Sequence, residues 1–269
     1  YFDGYVLNRV AHDESLVELA KRSGADYLID SMVEKVEGNQ VLLKNGDSYS
    51  AKVIVDAGGH NGPLRRDYWN EKSVKIPVKF VLMDGDFGEA VELHFGSMAP
   101  GGYAWMFPKS KGANIGLGIQ RSFAKGRNLN QYTDDFVSKY EGEISFTGAG
   151  SLPMSGTLKK FVKGNYMLVG DAAGMVLPSN GAGITIAMIG GRIAGQVISE
   201  HLSSGIPLEE YEKRWKKQMG KVMRNSKRSF KMGSMLFRLP DWILNLLFNR
   251  LTKNIIWRAV TCRRMLWVL

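Results

Sequence analysis

The stretch NYMLVGDAAGMVLPSNGAGITIAMIGG, residues 165 to 191, constrains this chain more than any other. An apolar, strand-like run ends at Gly170-Asp171, passes through a glycine-rich loop and enters a helix-like run. A strand that delivers an aspartate ahead of glycines and a helix N-terminus is how α/β proteins hold polar ligands at the carboxyl edge of a sheet. The acidic side chain suits sugar-type hydroxyls as a hydrogen-bond acceptor. Gly181 and Gly183 carry no Cβ, so a planar ring can come close to the backbone. The following helix turns free N–H groups and its positive dipole end toward that ring, worth roughly 0.3 to 2 kcal/mol to a negative charge. Glycines also allow tight helix–sheet contact, so the residues alone leave a nucleotide-type ligand and a packing turn both open.

The remaining chain alternates helix and strand signals. ESLVELAKRSGADYLID has leucines and alanines at helical spacing, then a glycine, then a short apolar strand. NQVLLKNGDSYSAKVIVDAGG reads as strands around the Asn45-Gly46 turn. Residues 75 to 120 are short β-rich runs separated by glycines, the pattern of an antiparallel meander. LNQYTDDFVSKYEG predicts a helix, GAGITIAMIGGRIAGQVISEHLSSG a helix stopped by glycine, and the chain beyond Leu208 reads helical with a break near Pro240. No internal repeat or low-complexity linker interrupts this order. The fold class expected is α/β: ligand-binding segments at residues 1–72 and 159–206, an antiparallel-sheet insertion at 73–158 and a basic helical region at 207–269.

Composition narrows the chemistry. With 269 residues, 44% of them hydrophobic, the chain can bury a large core. One cysteine, Cys262, excludes an internal disulfide and fits a reducing compartment. His12, His60, His94 and His201 are scattered without partners at ligand spacing, so no metal site is expected. Only His60 lies beside a candidate ligand turn. No apolar run approaches the roughly 18 residues of a spanning helix, and no G-x-S-x-G or Ser/His/Asp signature occurs.

The net charge of +10 is concentrated at one end. From Lys213 onward fifteen Lys or Arg face one acid, Asp241; the rest of the chain is slightly acidic. Tyr211, Trp215, Met219 and Val222 fall on one helical face among these cations. The apolar run DWILNLLFNRLTKNIIWRAV, with sparse positive charge, follows. A membrane-interface helix and a helical cap docked on the sheet both fit this pattern. Nucleic acid is not expected, since no binding motif accompanies the charge.

PGGYAWMFP supplies the second signal. In a strand, Tyr103, Trp105 and Phe107 alternate onto one face. Three large rings there make either an apolar wall with two polar handles or the sheet's own core.

Together these stretches resemble a known family. VGDAAGMVLPSNGAGITIAM is similar to the second FAD motif of glutathione-reductase-type flavoproteins, in the branch of p-hydroxybenzoate hydroxylase, and more closely to the geranylgeranyl reductase family. PGGYAWMFP matches that family's P-x-x-Y-x-W-x-F-P motif through Pro100, Tyr103, Trp105, Phe107 and Pro108. GYVLNRVAHDESLVELAKRSGA resembles the segment in which an arginine, here Arg9, approaches the flavin nucleotide. The resemblance covers residues 4 to 195 in order.

It implies FAD held by Gly170, Asp171, Ala172, Pro178, Gly181, Ala182 and Gly183, with Asp56 and Gly58 of VIVDAGGHNGPLRR at a second strand end. It also implies a lipid pocket lined by the aromatic motif, and reduction of isoprenoid C=C bonds in archaeal-type membrane lipids. The electron donor would be ferredoxin or NAD(P)H, and the protein cytoplasmic and peripheral at the membrane. No residue of the sequence stands out as proton donor. The family's opening G-x-G-x-x-G unit does not occur where expected, and the chain opens on Tyr1. The first βαβ unit is therefore expected upstream, and VDAGG departs from the usual Ala-Asp-Gly turn. A flavin monooxygenase of the hydroxylase branch and a non-catalytic, membrane-associated relative are the alternatives.

Overall fold

The computed structural model describes residues 6 to 250, with side chains through Leu246. Helix α1 (Arg9–Arg22) is followed by β1 (Val33–Glu37), β2 (Gln40–Leu43), β3 (Ser48–Ser50), β4 (Ile54–Asp56) and α2 (Pro63–Tyr68). A long excursion comprises β5 (Lys75–Asp84), β6 (Glu92–His94), β7 (Tyr103–Lys109), β8 (Gly112–Gly118), α3 (Leu129–Val137) and β9 (Glu143–Pro153). The chain returns through β10 (Val162–Lys163), β11 (Tyr166–Leu168) and α4 (Ile184–Ser204), and continues in α5 (Glu210–Leu236) and α6 (Asp241–Arg250).

The two expected ligand segments meet in one small sheet. Strands β4 and β11 run parallel, Ile54 beside Tyr166 and Asp56 beside Leu168, with β10 antiparallel on the far side of β11. Met167 and Leu168 are fully buried, as expected of parallel strands covered on both faces. Ile186, Ile193 and Val197 of α4 share this core with Leu64 and Phe161.

The same core takes Tyr211, Trp215 and Met219 from α5, so that apolar stripe docks on the protein rather than facing outward. Gly190 makes the contact possible, since a Cβ there would lie 2.7 Å from Met175 Sδ and 3.5 Å from Trp215 Cζ3. Buried Glu212 reinforces it: Oε1 accepts the Phe161 and Val162 N–H groups at 2.7 and 3.1 Å.

The excursion forms a five-stranded antiparallel sheet, ordered β6-β7-β8-β5-β9. Helix α3 covers one face through Tyr132 and Phe136, its N-terminus closed by a capping box between Asn128 and Gln131.

One expectation fails here. ADYLID is not a strand: Tyr27, Leu28 and Ile29 are exposed, and no strand lies beside them among the described residues. EISFTGAGSLP, within the expected antiparallel insertion, is the sheet's longest strand, β9. The apolar run after Pro240 enters α6, and its remainder, with Cys262, lies outside the described residues.

Candidate functional site

Parallel pairing brings two strand ends together. Val169 N–H donates to the Asp56 carbonyl at 3.0 Å, and beyond it the turns Gly59–Asn61 and Gly170–Ala173 lie side by side. Gly170 is left-handed (φ 63°), as the chain must reverse at once into the loop. The loop then closes on itself. Leu177 donates to the Ala182 carbonyl at 2.9 Å, while its own carbonyl accepts the Gly181 N–H at 2.8 Å. Gly181, also left-handed (φ 72°), makes that closure possible and leads through Gly183 into α4. The N–H groups of the first α4 turn have no intrahelical acceptor, so they and the dipole face outward at this loop.

Asp171 sits at the centre of this arrangement. A Cβ on Gly183 would lie 3.5 Å from its Oδ1, so the carboxylate stands at the helix N-terminus. Burial pushes its pKa above the ordinary carboxylate value, and His60 opposes that shift. No described side chain or backbone N–H donates to the carboxylate, which leaves both oxygens available to an incoming hydroxyl. His60 in turn lies 3.0 Å from Ser151 Oγ through Nε2. Burial lowers its pKa, helped by nearby Lys75 and Arg65 and opposed by Asp171.

Asp56, at the neighbouring strand end, is engaged by backbone N–H groups. It is buried, and its oxygens accept the Gly58 N–H at 2.8 Å and the Arg65 N–H at 3.0 Å. The carboxylate thus shapes the turn and caps the start of α2. A Cβ on Gly62 would lie 2.2 Å from Oδ1, which is why that position is glycine.

On the large sheet the rings of Tyr103, Trp105 and Phe107 are not the α3-side core; Ala104 and Met106 are. The rings occupy the opposite, half-buried face in a continuous run, Tyr103 to Trp105 at 5.8 Å and Trp105 to Phe107 at 6.0 Å between centroids. Where this face reaches the loop, Tyr103 OH donates to the Asn180 carbonyl at 2.6 Å. Burial raises the phenol to about 12, so it remains a donor. The Trp105 indole donates to Asn114 Oδ1 at 2.6 Å.

An apolar cavity of about 50 Å³ lies between Tyr103, Trp105, Leu152, Gly181, Phe230 and Phe237. Ordinary ligand pockets hold roughly 300–1,000 Å³. The cavity therefore marks where the two halves of the site meet rather than a finished tunnel.

The other expected residues are placed as follows. Arg9 is exposed on α1 and pairs with Asp13 at 2.9 Å. Ala172 is fully buried in the core, and Pro178 is buried beside Gly156. Pro100 precedes β7, its carbonyl accepting Gln120 N–H at 3.0 Å, and Pro108 pairs with Ala113 on the side away from the rings. Gly58 and Ala182 are exposed at the two turns.

Phe230 and Phe237 were not anticipated. Phe230 continues the Tyr211–Trp215–Met219 stripe along α5 and Phe237 caps the helix end, so the helix packs on the core first and on the cavity later. Among the described residues no His, Cys, Asp and Glu cluster could hold a metal.

A parallel strand pair ending in an Asp–glycine loop, with an antiparallel sheet inserted between its strands, defines a flavoprotein-type fold. A geranylgeranyl bacteriochlorophyll reductase-like protein from Thermoplasma acidophilum superposes with a TM-score of 0.81 at 25% identity, covering 100% of this chain and 71% of that one. A flavin-dependent brominase shares the fold at a TM-score of 0.68, 17% identity, and 96% and 71% coverage.

Residues 74–149 match the geranylgeranyl reductase catalytic domain. The digeranylgeranylglycerophospholipid reductase of Methanocella arvoryzae is 32% identical over 90% of this chain and 67% of its own length. That of Methanococcus vannielii is 32% identical over 94% and 70%. The chain belongs to the geranylgeranyl reductase family. It spans 60% to 70% of the length of such relatives.

Proposed function

We propose that the chain is the flavin-ring and substrate portion of an FAD-dependent oxidoreductase that saturates C=C bonds of geranylgeranyl chains in membrane-lipid synthesis. The observation that carries this reading is the Tyr103–Asn180 hydrogen bond, which joins the aromatic wall to the glycine loop and sets an apolar surface against a ring-binding backbone. The fit to FAD rests on the Asp171 carboxylate, to which no described group donates, and on the left-handed Gly170 and Gly181.

Asp171 would accept from the ribityl hydroxyls, Gly181 and Gly183 would admit the ring, and the α4 N-terminus would stabilise negative charge at its edge. Asp56 would act only by holding the turn that faces them. FAD supplies the hydride when bound. The chain's own share is to align the alkene along Tyr103, Trp105 and Phe107 and to exclude water. Tyr103, its phenol held protonated by burial, keeps its hydroxyl on the Asn180 carbonyl at the end of this wall.

A redox partner must deliver electrons, as ferredoxin or NAD(P)H. An anionic membrane surface would meet α5, where exposed Lys217, Lys221, Arg224, Arg228 and Lys231 share one face and pair with no described acid. Exposed Met235, Leu236 and Trp242 at the α5–α6 corner would add apolar contact. No helix among the described residues is long and apolar enough to cross a membrane.

The test is to load the purified protein with FAD, reduce it with dithionite and add a geranylgeranyl ether lipid. Mass gain of hydrogen pairs in the lipid with reoxidation of the flavin is expected. Flavin reoxidised only by oxygen, with an oxygenated product, would instead mean a monooxygenase.

A further inference from the structure

The aromatic face extends beyond the cavity. Moving away from the Gly181 loop, the register sets Tyr103, Gly118, Val78 and Gly150 side by side, followed by a row of Trp105, Gly116, Phe80 and Gly148. Next comes a row containing Phe107, Asn114, Leu82 and Phe146. Successive rows are two residues apart on each strand, roughly 6.6 Å.

In the middle row the rings lie down over glycines instead of standing off the sheet. A Cβ on Gly148 would fall 2.5 Å from Phe80 Cζ, and one on Gly116 would fall 2.6 Å from Trp105 Cζ2. In the outer row the glycines give way to Asn114 and Phe146. Asn114 is fixed by the Trp105 indole at 2.6 Å. Phe146 lies 6.0 Å from Phe80, tilted by 43°, and is 52% exposed. The floor is therefore low next to the cavity and rises at the outer row.

Resting on the reading of this face as the chain-binding wall, we infer that Phe80 is a specificity-determining residue. Laid flat by Gly148, it floors the path of the far end of a polyprenyl chain, and Phe146 forms the ridge against which the last unit packs. Each added isoprene unit gains affinity only while the floor stays low, because apolar contact scales with the area removed from water. Length selection then resides in side chains remote from the reacting end.

Calorimetric titration of the full chain with geraniol, farnesol and geranylgeraniol tests this. Affinity is expected to rise through the series. Gly148→Ala lifts the Phe80 ring, and geranylgeraniol then binds roughly ten-fold more weakly while geraniol is unchanged. Phe146→Ala, at an exposed position outside the core, gives the same selective loss without endangering the fold. Equal losses for geraniol and geranylgeraniol, or none for either in both variants, overturn the assignment of Phe80 and leave the wall itself standing. Failure of the unsubstituted chain to bind any of the three alcohols overturns both.

Discussion

The Tyr103 hydroxyl and the Asn180 carbonyl, 2.6 Å apart, fasten the large sheet to the glycine loop across a gap of 77 residues in sequence. Both halves of the site depend on this contact for their spacing. Tyr103→Phe keeps the ring and loses the bond. It is expected to cost about 1 kcal/mol of stability and to weaken flavin binding several-fold, read by urea denaturation and flavin fluorescence. The phenol's pKa is raised to about 12 in the folded chain, against about 10 unfolded. Its stabilising contribution is thus complete below pH about 10 and is lost as pH climbs through about 12. Tyr103→Phe should flatten that alkaline decline.

In the proposed site, Asp171 would set ligand binding against stability. Its folded pKa is raised by burial, so stability is greatest below the ordinary carboxylate value and falls as pH rises through the raised one. Asp171→Asn removes the buried charge at neutral pH. The flavin-free protein should gain stability, while FAD affinity falls roughly ten-fold for want of a charged acceptor. Thermal melts with and without FAD measure both changes, and a variant that loses stability yet retains full FAD affinity would refute the assignment.

Much of this was legible in the sequence because the signals were local. Asn45-Gly46 announces its hairpin, Gly205 ends α4, and the alternation from Tyr103 to Phe107 fixes a shared face. Signals that need a distant partner were not. Thr147-Gly148-Ala149-Gly150 carries no strand signal of its own and becomes strand only where Val78 and Phe80 of β5 lie opposite it. The run at Tyr27–Ile29 has strand composition but no neighbour among the described residues. That the Gly58 and Arg65 N–H groups donate to the Asp56 oxygens is likewise invisible without the folded turn. The stripe on α5 was legible as a face, yet only the buried sheet decides that it points inward.

The turn after β4 gives a sharper test of the Asp56 role. Gly62→Ala drives a methyl into the carboxylate, since a Cβ there would lie 2.2 Å from Oδ1. Asp56→Ala removes the carboxylate and leaves two N–H groups without acceptors. Each should destabilise the chain by about 2–3 kcal/mol, and the double variant should cost clearly less than their sum, because both act through one carboxylate. Additive losses in chemical denaturation would mean that Gly62 matters for another reason.

The cationic face of α5 makes a prediction about surroundings rather than fold. Lys217, Lys221, Arg224, Arg228 and Lys231 point away from the core that Trp215 and Met219 fill, so neutralising them leaves packing intact. Changing Lys221, Arg224 and Arg228 together to glutamine should leave the melting temperature within about 2 °C, as surface substitutions usually do. Association with phosphatidylglycerol vesicles should nonetheless fall by roughly ten-fold or more, at about 1 kcal/mol per cation near an anionic surface. Binding of the unsubstituted chain should itself weaken as salt shortens the screening length. Trp242→Ala, at a position 69% exposed, should reduce binding further at high salt, where apolar insertion is what remains. Vesicle co-sedimentation across a salt series separates these contributions, and equal binding to neutral phosphatidylcholine vesicles would show that the α5 charges are not the docking element.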